Sequence, residues 1–135
     1  LAEAAGASIS DHCELLFAEA DQSHPYVQEE QMMPMVPIVP VADFESAVQQ
    51  AKVAEHGYRH SAIIHSTNVS NMTHMGREMD TTIFVKNGPC VAGLGLGGEG
   101  YLSYSVATTT GEGITTPKTF TRIRRCVMVE NLRIV

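Results

Sequence analysis

Gly93, Gly95 and Gly98 stand at G-x-G-x-x-G spacing, the pattern by which a glycine turn brings backbone N–H groups against a dinucleotide pyrophosphate. That chemistry needs a helix to open at the glycines, because its N-terminus holds the anion. The next segment, Tyr101 to Thr108 (YLSYSVAT), is β-prone and lacks a helical period, which favours a flexible or substrate-shaping loop over a phosphate cradle. Cys90 lies at the start of the same loop. A nucleophilic thiol wants a helix N-terminus or a cationic neighbour, and Lys86, four residues back, is weak support. His56, His60, His65 and His74 could suggest base catalysis or metal binding. His56 and His60, however, flank a glycine-containing turn, His74 falls on a predicted helix, and no carboxylate stands at a ligand-like interval on the same face. Surface or capping roles are expected for them, and no metal site.

The remaining candidate chemistry is in Glu29-Glu30-Gln31-Met32-Met33-Pro34. Read on its own, the glutamate pair is a solvated turn and the methionines adaptable packing. Three ordered segments change that balance: HPYVQEEQMMPMVPIV (24–39), FVKNGPCVAGLGLGGEG (84–100) and GEGITTPKTFTRIRRCVMVENLRIV (111–135). Together they resemble the C-terminal part of the CoA-acylating aldehyde dehydrogenases of ethanolamine and propanediol utilisation, over essentially the whole chain.

The resemblance implies a reaction in which a short-chain aldehyde, NAD and coenzyme A give acyl-CoA and NADH through a cysteine thioester. Its nucleophile would lie before the first residue of this chain, so the chain alone is expected to be inactive. The second glutamate of the family's Glu-Glu-x-aromatic-x-Pro pattern, which binds the nicotinamide ribose hydroxyls, falls on Glu30. A carboxylate suits a vicinal diol because it accepts two charge-assisted hydrogen bonds. Met32 takes the place of the aromatic that touches the cofactor in the hydrolytic relatives, a departure from the pattern. Asn87, Cys90, Gly97 and Gly98 would line the aldehyde or acyl pocket, with a purely structural thiol the other reading of Cys90. The tail would be an oligomerisation strand, making the parent a homo-oligomer, cytoplasmic or inside a bacterial microcompartment.

Composition sets the remaining limits. A chain of 135 residues, 44% hydrophobic and 18% charged, has room for one modest core. A net charge of −6 argues against a nucleic-acid partner, which would need an excess of Lys and Arg. No window approaches the roughly 20 apolar residues of a membrane span. Three widely spaced cysteines, Cys13, Cys90 and Cys126, indicate neither a disulfide framework nor a zinc knuckle. The absence of an initiator Met and a first segment that reads as mid-helix are what a fragment would show.

The elements that must position these residues alternate. Glu14 to Ala18 reads as a strand, and Pro34, Pro37 and Pro40 hold the next segment extended with the prolines at ends or edges. A helix over 42–56 is capped by Asp43 and stopped by Gly57, with Phe44, Ala47, Val48, Ala51 and Ala54 on its apolar side. After it come a strand over Ser61 to His65, a second helix over Val69 to Met79 behind Asn68, and a buried strand over Thr81 to Val85. The expected class is α/β with a parallel sheet, residues 1–120 forming part of a catalytic domain and 121–135 the assembly strand. Two rival readings are a non-catalytic binding or oligomerisation module and a small metal-dependent enzyme built on the six histidines.

Overall fold

The computed structural model describes residues 2–97, 102–106, 113–127 and 129–130. Its elements, in chain order, are β1 (Leu16–Glu19), α1 (Pro25–Gln28), β2 (Met35–Ile38), α2 (Phe44–Glu55), β3 (Ser61–Ile64), α3 (Val69–Met79) and β4 (Ile83–Lys86). They fall into two compact units, Leu1–Tyr58 with Asn68–Met79, and Arg59–Thr67 with Asp80–Val135. The strands form two separate parallel pairs where the sequence suggested a single sheet. The class is α/β, as expected.

In the first unit β1 pairs with β2 in the register Leu16↔Met35 to Glu19↔Ile38, which sets Pro37 opposite Ala18. The flanking bonds use β2 as acceptor, Leu16 N–H donating to Pro34 O and Ala20 N–H to Ile38 O, so Pro34 contributes only its carbonyl. A residue without an N–H loses nothing in that role.

Asp43 caps α2 in extended conformation, and its Oδ1 accepts the Ser46 N–H at 2.8 Å. The apolar stripe anticipated from the sequence converges on Val48, only 1% exposed. Reversal at the C-terminus begins one residue before the expected glycine, at His56 (φ 57°), and continues through Gly57 (φ 80°). Helix α3 occupies the expected residues, with Asn68 Oδ1 accepting the Asn71 N–H. The two helices are joined by Lys52 Nζ to Glu78 Oε2 at 2.7 Å and His74 Nε2 to Glu45 Oε2 at 3.0 Å, the His74 ring edge meeting Phe44. Of the methionine stripe, Met79 is buried while Val69 at its start is exposed.

The Ser46 N–H bond is the main reason the Asp43 carboxyl is held below the ordinary carboxylate range. A depressed pKa stabilises the fold above the unfolded value, and that contribution is lost as pH falls through the folded one. Protection of the Ser46 amide against hydrogen exchange should therefore decline below about pH 4. In Asp43→Asn the cap remains but has no proton to gain, so the decline should disappear.

The second unit is built on β3 and β4, parallel in the register Ser61↔Ile83 to Ile64↔Lys86. Among its described residues Ala62, Ile64, Ile83 and Val85 are the buried apolar ones. The ladder is extended below by Thr82 N–H to Arg59 O and Ile83 N–H to His60 O. Arg59 and Asp80, both at positive φ, close that end with an ion pair at 2.8 Å. Farther along, Val106 bridges Ile114, and buried Thr115 returns its N–H and Oγ1–H to Ser105 O.

The described residues of the tail differ from their strand-prone appearance. Pro117–Phe120 is a 3-10 turn in which the Thr116 N–H is met by Thr119 Oγ1. Residues 122–127 pair with no strand, and Ile123 is 94% exposed. An edge of this composition needs a second edge to pair with, and among the described residues it is paired with none.

Candidate functional site

The residues singled out by sequence divide between the units: Glu30 and Met32 belong to the first, Asn87, Cys90 and Gly97 to the second. Gly98 lies outside the described residues.

Glu30 is positioned by α1, an element that sequence reasoning missed. His24 is its N-cap, Nδ1 accepting the Tyr26 N–H, and Pro25 occupies the first turn where a missing N–H costs nothing. The helix ends as the Glu29 N–H bonds Pro25 O and the chain becomes extended at Glu29. So short a helix is held by contacts from outside it. Gln28 Nε2 donates to Gln22 O, Gln22 Nε2 to Gln50 O, and the His56 ring N–H to Gln28 O at 2.8 Å. The His-Pro pair was the available signal, since proline favours the first helical position as much as a bend. Glu30 emerges from this anchored turn exposed, with no hydrogen bond or ion pair among the described residues. Two residues on, Met32 is 90% exposed. A carboxylate with all its lone pairs available can accept a vicinal diol, so the residue fits a ribose.

In the second unit the site residues lie past the carboxyl end of β4, where parallel α/β sheets place their ligands. Asn87 turns out of the strand at φ 56°. Its carboxamide is engaged twice by one residue: Oδ1 accepts the Ser66 N–H at 2.8 Å and Nδ2 donates to Ser66 O at 2.9 Å. Cys90 begins the 3-10 turn Cys90–Leu94 as a half-buried free thiol.

The glycines of this loop divide by purpose. A Cβ on Gly93 would lie 2.2 Å from Ile83 Cγ2, so this glycine admits the loop onto β4. Gly95 ends the 3-10 turn at φ 96°, and Gly97 at φ 73° has no atom of the described residues within 4 Å of where a side chain would project. The first two positions of the dinucleotide-like spacing are thus explained by packing and by a turn, and the turn of Cys90–Leu94 stops at Gly95. Among the described residues no group of three His, Cys, Asp or Glu could hold a metal ion, and no helix is long and apolar enough to cross a membrane.

Parallel strand pairs interleaved with helices, and a glycine loop leaving a strand's carboxyl end, place the chain in the α/β class. Its relatives are specific: over its whole length the chain is homologous to CoA-acylating aldehyde dehydrogenases. It is 50% identical over 135 residues to the acetylating acetaldehyde dehydrogenase EutE of Salmonella typhimurium, covering 100% of this chain and 29% of the relative. To the CoA-propanoylating propanal dehydrogenase of the same organism it is 47% identical over 133 residues, 98% of this chain and 29% of the relative. The chain therefore spans 29% of the length of these curated relatives.

Solved structures agree. The propionaldehyde dehydrogenase of Rhodopseudomonas palustris, with bound CoA and an acylated cysteine, superposes with a TM-score of 0.86 at 47% identity over 94% of this chain and 29% of that one. An engineered glycolyl-CoA reductase with bound NADP+ gives 0.86 at 46% identity, over 94% and 29% of the two chains. A propionaldehyde dehydrogenase from a Clostridium phytofermentans fucose-utilisation microcompartment gives 0.86 at 43%, over 97% and 30%. No family model matches the sequence.

Proposed function

We propose that this chain is the C-terminal portion of an acylating aldehyde dehydrogenase that converts a short-chain aldehyde, NAD and coenzyme A to acyl-CoA, NADH and a proton. The carrying observation is identity of 50% over all 135 residues to an acetylating acetaldehyde dehydrogenase. The acyl-accepting cysteine lies in the part of the parent outside these residues, so the 135-residue chain is inactive alone.

Within that reaction Glu30 accepts hydrogen bonds from the nicotinamide ribose hydroxyls, and Met32 lies against the cofactor. Their exposure at the exit of α1 supports both roles. NAD supplies the hydride acceptor when bound. Backbone from Asn87 to Gly98 shapes the pocket for the aldehyde and its acyl product, with Cys90 on its wall. Gly97 leaves main chain where a side chain would obstruct a substrate, and the lack of any described atom within 4 Å of its Cβ position supports that reading.

Residues 121–135 form the strand by which the parent assembles into a homo-oligomer. Ile123, Val127 and Val129, apolar and exposed in the isolated chain, support a partner edge there. Relatives from ethanolamine utilisation and from a fucose microcompartment support packaging of the parent in such a shell. The test is NADH formation by the full-length parent that requires both an aldehyde and CoA.

A further inference from the structure

We propose that Asn87 is a positioning residue, its carboxamide acting as one more rung of the β3–β4 ladder beyond the last backbone pair. The backbone ladder reaches its end as the Asn87 N–H bonds Ile64 O at 2.8 Å. There the chain swings to φ 56° and main chain from β4 no longer runs alongside β3. A carboxamide is planar with a donor and an acceptor, as a peptide unit is, and it takes over. Oδ1 receives the Ser66 N–H and Nδ2 donates to Ser66 O, at 2.8 and 2.9 Å.

Asparagine fits twice, since it also tolerates the left-handed conformation better than most residues. The consequence is a fixed exit angle for two segments at once, residues 65–67 after β3 and the 3-10 loop after β4. Both leave the carboxyl end of the strand pair. With both polar ends of its side chain committed to Ser66, Asn87 acts through the loop rather than on the substrate. The activity arm of the test rests on the acylating-dehydrogenase reading, while the exchange arm does not.

Both are run on the full-length parent with Asn87→Gly, which keeps positive φ but removes the carboxamide, and Asn87→Asp, which keeps the acceptor but turns an oxygen toward Ser66 O. Exchange of the Ser66 amide should quicken by about tenfold in Asn87→Gly and remain slow in Asn87→Asp. In both variants kcat/KM for acetaldehyde and for propanal should fall by the same factor, about tenfold, leaving the preference between them unchanged. Unaltered Ser66 exchange in Asn87→Gly, or a changed aldehyde preference in either variant, would overturn the proposal. If the wild-type parent forms no NADH from aldehyde and CoA, the functional reading fails while Ser66 exchange still decides the clamp.

Discussion

Gly93→Ala is expected to destabilise the second unit by about 2–3 kcal/mol, the upper part of the range for overpacked cores. The added methyl would sit 2.2 Å from Ile83 Cγ2 and 3.2 Å from Val85 Cγ2. Neither neighbour can yield easily. Both are β-branched, with stiff χ1 angles, both belong to β4, and Ile83 is only 3% exposed. The loop must therefore lift off the strand. Urea unfolding of the full-length parent checks this, with a lower midpoint at unchanged slope. The clash also predicts coupling: Ile83→Ala removes the obstructing Cγ2, so the double variant should be less destabilised than the sum of the two single ones. Additive losses would show that Gly93 is required for some other reason.

Glu30→Ala should raise the KM of the parent enzyme for NAD by about 10–100-fold, the worth of a charged acceptor's hydrogen bonds. Glu30→Gln, which keeps a carbonyl oxygen but no charge, should fall between. Stability should be unaffected, because Glu30 is exposed and bonds to nothing among the described residues. Unfolding midpoints equal to wild type, with a weakened cofactor KM, would separate a binding role from a structural one. An unchanged KM in Glu30→Ala would remove Glu30 from the cofactor site.

The features legible in the sequence were those that short-range chemistry determines. Asp43 and Asn68 are side-chain caps whose partners lie three residues away, and both helices begin where those caps place them. Strands β3 and β4 were legible from β-branched runs, though β4 lies at Ile83–Lys86 and not at Thr81 to Val85. Helix α1 left only the His24-Pro25 pair as a local signal, since its anchors, Gln22 to Gln50 and Gln28 to His56, each span 28 residues. Four residues cannot hold a helix by propensity alone.

The glycine loop shows a different limit. Composition announces that side chains are excluded, but only coordinates distinguish Gly93, excluded by β4, from Gly97, with no described atom within 4 Å of its Cβ position. The tail is the third case: β-propensity marks 120–135 as strand-forming, yet a strand exists only in company, and within 122–127 it has none. For the site itself, the role proposed for Glu30 rests on likeness to a family pattern. The engagement of Asn87 with Ser66, 21 residues earlier, leaves no trace in the local sequence.

The most direct measurement is a spectrophotometric assay of NADH formation, made on the full-length parent and on the 135-residue chain, with aldehyde and CoA supplied together and singly. Turnover by the parent only when both are present, and none by the shorter chain, is the predicted result. NADH formation by the 135-residue chain alone, or by the parent without any need for CoA, would contradict the account.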